Sequence, residues 1–143
     1  MKYYLKITSL FLFLAIITEI AHAQEEVIGS AKVALKLGSS KDLSKFFHNM
    51  VELKITDDEA DGANNNYSKT QAEYVLKGFF KDNPPQDFIY VHQGTSKEGL
   101  KYAIGKYTYK DNAGKAAGTF RVFMKLKQYD GSYLIDEIDF SKE

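Results

Sequence analysis

Two acidic residues stand side by side near the end of the chain, in the segment 120–140, "FRVFMKLKQYDGSYLIDEIDF". Adjacent carboxylates can serve as a general acid and a general base when both reach one substrate. Successive side chains of a strand point to opposite faces, however. We therefore predict that Asp136 and Glu137 are separated, and that only Asp136 shares the inner face with Ile138 and Phe140. An inward carboxylate could act as a base; the alternative is an exposed charge that pairs with a lysine on the next strand.

Histidine is the side chain best suited to proton transfer near neutral pH. His92 shares a strand face with Phe88 and Tyr90 in "DFIYVHQG", and that face could line the mouth of a cavity. The alternative is a hydrogen-bonded structural histidine near the strand end. His48 follows a short predicted helix, which favours a cap or surface role. Neither histidine has an acidic residue at ligand spacing, so the sequence indicates no metal site and no cofactor. His92 and Asp136 remain the two candidates for acid–base catalysis.

Aromatic side chains on the predicted strands and helices could build a pocket for a small, partly apolar ligand. The residues predicted to line it are Phe79, Tyr90, His92, Tyr107 and Met124. The alternative is that these aromatic residues form the hydrophobic core. Phe123 and Tyr133 are expected on the outer face of the sheet, where they would otherwise be exposed to water. We therefore predict a homodimer through that outer face.

The first 23 residues have the pattern of a secretory signal peptide. Lys2 and Lys6 precede the apolar run "LFLFLAII", and Ala21-His22-Ala23 supplies the small residues of a cleavage site. A membrane-spanning helix needs about 20 apolar residues, so this run is too short to stay as an anchor. We predict cleavage after Ala23, a secreted or periplasmic location, and a single domain over residues 24–143.

Composition excludes several classes of function. The 143 residues carry 19 basic and 19 acidic side chains, so no excess positive charge indicates nucleic acid. Arg121 is the sole arginine, which argues against a phosphate site built on guanidinium forks. The chain contains no cysteine, so disulfides, thiolate metal sites and catalytic thiols are excluded.

The elements that must position these side chains follow from periodicity and capping. Residues 26–37 show a helical apolar face, and Ser39 begins a second, short helix. "VELKIT" alternates as a strand, and the segment after it, "DDEADGANNNY", is a polar loop. A third helix starts at Ser68 and ends before Pro84. Four strands complete the chain, with Asp130-Gly131 at the last hairpin turn. This order indicates an α+β domain with helices on one face of a mostly antiparallel sheet.

This order resembles the cone-shaped fold of nuclear transport factor 2, in which a strongly curved sheet wraps three helices. The segments "DFIYVHQG", "YAIGKY" and "FRVFMKLK" are similar to a family of small secreted bacterial proteins of unknown function in that superfamily. The resemblance implies three N-terminal helices packed on the sheet, with a cavity between them. No enzyme motif of the superfamily maps onto this chain. The signal peptide, the order of elements and the missing catalytic constellation together predict a non-catalytic domain that binds a small, partly apolar ligand or a protein partner through the cone cavity or the sheet face. The alternative is an isomerase-, dehydratase- or hydrolase-type enzyme that uses His92 or Asp136.

Overall fold

The computed structural model describes residues 24–57 and 65–143. The predicted signal peptide lies outside the described residues, as does most of the predicted polar loop. The described elements are α1 (24–37), α2 (Ser40–Ser44), β1 (Phe47–Thr56), β2 (Asn65–Ser68), α3 (Lys69–Asp82), β3 (Pro85–Thr95), β4 (Lys101–Lys110), β5 (Ala116–Tyr129) and β6 (Ser132–Lys142).

The strands form one curved six-stranded sheet in the order β2-β1-β6-β5-β4-β3. Neighbours are antiparallel except for β1 and β6, which are parallel. The predicted α+β class is confirmed. The prediction of three N-terminal helices is wrong, because β1 and β2 precede α3. Residues 65–67 were predicted as loop and Ser68 as the start of a helix, yet Asn65–Ser68 forms β2 by pairing with Met50–Leu53 of β1.

Helix ends follow the predicted capping chemistry. Gly38 adopts φ +64° after α1, the left-handed conformation that glycine adopts without steric cost. The Ser39 side chain accepts a hydrogen bond from the Asp42 N–H at 3.2 Å. At α3, Ser68 accepts from the Gln71 N–H, and the Gln71 side chain accepts from the Ser68 N–H at 3.0 Å. These reciprocal bonds satisfy backbone donors that the first helical turn leaves unpaired.

The core lies between α3 and the concave face of the sheet. Phe79 on α3 is its centre, with ring centroids 5.1 Å from Phe120, 4.5 Å from Phe140 and 5.7 Å from Tyr107. The apolar face predicted for β5 is confirmed, because its four members are at most 1% exposed. They are Phe120, Val122, Met124 and Leu126. Burial of such side chains is the main favourable term in folding.

Glycines allow aromatic rings to lie directly on neighbouring strands of the curved sheet. The Phe88 ring packs on Gly105, where an added Cβ would lie 2.6 Å from Phe88 Cε2 and 2.7 Å from the Ile89 carbonyl oxygen. Tyr102 covers Gly94 in the same way. Such pairs of an aromatic ring and a glycine permit strand curvature while keeping the sheet surface covered.

We expect Gly105→Ala to lower the free energy of unfolding by about 1–3 kcal/mol, because the new methyl group overlaps both a buried ring and a backbone oxygen. Gly78→Ala is the matched control, since no atom lies within 4 Å of its added Cβ. Alanine in that exposed helix position should stabilise the protein by about 0.5–1 kcal/mol. Urea unfolding followed by circular dichroism measures both. Equal effects of the two substitutions would contradict this account of the Phe88 contact.

Candidate functional site

The predicted pocket residues on the concave face belong to the hydrophobic core or pack against it. Phe79, Tyr107 and Met124 are buried, and Tyr90 is half-buried against them. The Tyr107 hydroxyl donates to the Asn83 carbonyl oxygen at 2.6 Å. These side chains pack on one another in the core between the helices and the sheet.

The second phenol on this face is also satisfied within the protein. The Tyr90 hydroxyl donates to the Ile28 carbonyl oxygen of α1 at 2.7 Å. Burial raises the pKa of Tyr90 and of Tyr107 well above the usual value for tyrosine. Both therefore stay neutral donors, and their hydroxyl groups anchor α1 and the end of α3 to the sheet.

A bulge in β3 separates His92 from the other predicted pocket residues. Tyr90 pairs with Gly105 and His92 with Ile104, so Val91 is an extra residue on β3. An extra residue reverses the facing of every side chain beyond it. His92 is exposed on the outer face, with Nε2 3.2 Å from the Tyr102 hydroxyl. The prediction that His92 shares a face with Phe88 and Tyr90 is wrong for this reason.

A second bulge, in β6, overturns the predicted separation of the two acids. Lys125 pairs with Glu137 and Leu126 with Ile135, so Asp136 is the extra residue. Both carboxylates consequently reach the outer face, where Lys125 Nζ lies 3.5 Å from Asp136 and 2.9 Å from Glu137. Asp136 does not face the concave interior. The alternative, an acid paired with a lysine of the neighbouring strand, is the arrangement that the structure has.

The β6 bulge also moves an aromatic residue that was predicted on the outer surface. Tyr133 is 8% exposed and belongs to the core with Ile135. The predicted dimer surface therefore loses Tyr133. The sequence does carry a signal for this bulge, because the buried positions Ile135 and Ile138 are three residues apart instead of two.

A hydrogen-bonded network extends from the two acids across the outer face. The Tyr129 hydroxyl donates to Asp136 Oδ1 at 2.7 Å, and the His48 ring stacks on Tyr129 with centroids 3.8 Å apart. The hydrogen bond that Lys125 donates to Glu137 raises the pKa of Lys125, which keeps the ammonium charged. Burial, followed by the bond to Asp136, raises the pKa of Tyr129 to about 12. One ammonium and one phenol thus engage both carboxylates, so the network stabilises the outer face.

Beside this network lies an aromatic surface, which we call the outer-face patch: His92, Tyr102, Ile104 and Phe123. The Tyr102 and Phe123 rings stack with centroids 6.4 Å apart. Ile104 pairs directly with both His92 and Phe123 across the strands. All members except the exposed His92 are half-buried. The patch combines apolar rings with a hydroxyl and an imidazole, a composition that suits a protein contact.

Other depressions on the described surface are shallow and unrelated to the predicted site. The groove between α1 and α2 has a volume of about 290 Å³, and its lining includes Val33, Phe46 and the Asp42–Lys45 ion pair. None of the predicted pocket residues lines this groove or those beside α3 and β2. Within residues 24–57 and 65–143, no three acidic, histidine or cysteine side chains gather at a distance that suits a metal ion. No helix in these ranges is both long and apolar enough to cross a membrane.

Comparison with known proteins agrees with this architecture. Residues 28–141 match the model of a domain of unknown function, DUF4783. The chain belongs to the DUF4783 family. The predicted relationship to a family of unknown function is thereby confirmed. A search of curated proteins found no match.

Solved structures of DUF4783 proteins superpose over most of the chain. A family protein from Bacteroides ovatus is 30% identical with a TM-score of 0.66, covering 80% of this chain and 93% of its own. One from Bacteroides fragilis is 25% identical with the same TM-score, covering 80% and 96%. An NTF2-like protein of unknown function from Shewanella baltica shares the fold at 15% identity and a TM-score of 0.61, covering 86% and 93%.

We expect Tyr129→Phe to lower the free energy of unfolding at pH 7 by about 1–2 kcal/mol, because Asp136 loses its donor. The pKa of Tyr129 is higher in the folded protein, about 12, than in the unfolded chain, about 10. The hydroxyl therefore contributes its full stabilisation below pH 10 and loses it as the pH rises from 10 to about 12. The difference in the free energy of unfolding between the original protein and Tyr129→Phe should shrink over that range. Urea unfolding at a series of pH values measures it.

Tyr74→Phe is the control, since Tyr74 is 79% exposed and should be neutral at every pH. A Tyr129→Phe variant as stable as the original protein at pH 7 would show that the bond to Asp136 contributes nothing.

Proposed function

We propose that this DUF4783 chain is a secreted or periplasmic, non-catalytic domain that binds a protein partner through the outer-face patch. One observation carries the proposal. Hydroxyl groups on the concave face are bonded to the backbone, whereas Tyr102 and Phe123 on the outer face keep exposed ring surface. Partly exposed aromatic residues beside charged groups are typical of protein interfaces.

A protein contact fits this geometry better than a ligand in the cone. Phe79 and Tyr107 pack against each other with buried rings, so a ligand would have to displace core contacts. An acid–base enzyme is also disfavoured, because His92 and Asp136 both lie outside the concave face, and Asp136 is bound to Lys125 and Tyr129. The enzyme alternative keeps only the exposed His92 as a candidate acid or base.

The partner that we propose for the patch is a second copy of the chain. A twofold contact places the same patch on both subunits, so the stacked Tyr102 and Phe123 rings of each copy would cover those of the other. Nearby Lys125 is compensated by Asp136 and Glu137, which limits charge repulsion between two identical faces. Phe123 lies on a central strand, β5, and is the natural centre of such a contact.

We expect Phe123→Asp to break the outer-face contact and so lower the mass in solution, because two carboxylates would be buried opposite each other. Light scattering after size exclusion measures the mass, and circular dichroism checks the fold. Tyr74→Asp, on the exposed side of α3, is the control and should leave the mass unchanged. A mass that is the same for Phe123→Asp as for the original protein would remove this face from consideration.

The secreted location rests on the segment before Gln24. With the full chain expressed in a Gram-negative host, we expect the protein in the periplasmic fraction with a mass that begins at Gln24. Leu14→Arg interrupts the apolar run "LFLFLAII" and should retain the uncleaved chain in the cell. An original protein that stays in the cytoplasm with residues 1–23 attached would contradict the proposal.

A further inference from the structure

Strand β3 forms one border of the sheet, and no described strand pairs with its other side. Border strands present unpaired N–H and C=O groups, and proteins usually protect them with lysine, proline, bulges or short length. β3 runs for 11 residues, Pro85–Thr95, and contains neither lysine nor arginine. It also exposes two large apolar side chains, Ile89 at 46% and Val91 at 55%. The other border, β2, is only four residues long.

The bulges of β3 limit how far another strand could pair with it. Register shifts occur between Pro85 and Asp87 and between Tyr90 and His92. Between them lies a short regular stretch, Asp87–Tyr90. A partner strand can pair with this stretch and with His92, the first residue beyond the second bulge, whereas the bulges oppose the open-ended pairing that leads to fibres.

The outer side of this stretch is complementary to the same stretch of a second copy of the chain. Asp87, Ile89 and His92 all lie on the outer face, since they pair with Thr108, Lys106 and Ile104 of β4. The extra residue Val91 gives His92 the position that residue 91 would have in a regular strand. In an antiparallel pair with a twofold axis at Ile89, Ile89 meets its own copy and Asp87 lies opposite the partner copy's His92.

Charge and shape both favour that register. Like charges opposite each other destabilise a strand pair, whereas an acid opposite a histidine and an aliphatic pair both stabilise it. Asp87 also forms an ion pair with Lys36 of α1 at 3.3 Å, so the partner copy's His92 would add a second donor to a carboxylate that already has one. β3 contains no second acidic residue that a copy of itself could meet.

We propose that two copies of this chain pair antiparallel along β3, about a twofold axis at Ile89, and join their sheets into one continuous sheet. The occupant of the border is thus a second copy, recognised by the Ile89 pair and the two Asp87–His92 pairs. This contact is independent of the proposed function, since it uses the border of the sheet and not the Tyr102–Phe123 surface. Chains that make both the outer-face contact and the β3 contact form assemblies larger than a dimer.

Single cysteines test the proposal directly, because the chain has no native cysteine. At the centre of a twofold strand pair, identical residues have Cβ atoms about 4.5–5.5 Å apart. Ile89→Cys should therefore give a covalent dimer on mild oxidation, visible on a non-reducing gel. Tyr74→Cys, which replaces a more exposed residue away from β3, is the control and should cross-link at least tenfold more slowly. Equal rates for the two variants would overturn the proposal.

Ile89→Lys supplies the second measurement, because lysine on a border strand opposes pairing. Ile89 is half exposed, so the fold should tolerate the change, and circular dichroism checks this. We expect the mass by light scattering to fall to what the outer-face contact alone can hold, which is at most a dimer. Loss of association in Phe123→Asp with no change in Ile89→Lys would overturn the border contact and support the outer-face contact. The reverse result would support the border contact and remove the outer-face dimer.

Discussion

The packing of α3 against the concave face of the sheet is the contact on which the rest of the fold depends. Phe79 lies at the centre of a set of rings contributed by β4, β5 and β6. Close-packed interiors leave few voids larger than a water molecule, so these rings define both the curvature that the sheet can adopt and the space left inside it. The side chains of Phe79, Tyr107, Phe120 and Phe140 on the concave side therefore contribute to stability.

Two bulges determine which titratable side chains lie on the outer face of the sheet. If β3 paired regularly, Val91 would lie opposite Ile104, and His92 would lie opposite Ala103, beside Tyr90 over the core. If β6 paired regularly beyond Ile135, Asp136 would lie opposite Lys125, and Glu137 would be turned inward opposite the buried Met124. Burial of an unpaired charge costs far more than a local break in strand pairing. The bulges thus keep charged and titratable groups in contact with water or with each other, while the apolar residues on either side stay in the core.

Local rules predicted the helix ends and the faces of regular strands. Ser68 with Gln71 and the alternation of β5 from Phe120 to Leu126 depend on neighbours within a few residues, so the sequence alone was sufficient. β2 was missed because it forms through a tertiary contact with β1, and its polar side chains show no apolar alternation that would predict a strand. The acid pair was misplaced because strict alternation was applied across a bulge. The spacing between Ile135 and Ile138 contained the needed information, whereas His92 had no comparably clear apolar pattern around it.

The parallel pairing of β1 with β6 links the two ends of the described domain. Phe47 on β1 pairs with Ile135 on β6, a contact that spans more than half of the 143 residues. Contacts between distant parts of a chain form slowly, because a long loop must close first. During synthesis, β1 has no parallel neighbour until β6 has left the ribosome. A sheet in which the β1–β6 pairing forms last stays divided into two parts until synthesis is nearly complete.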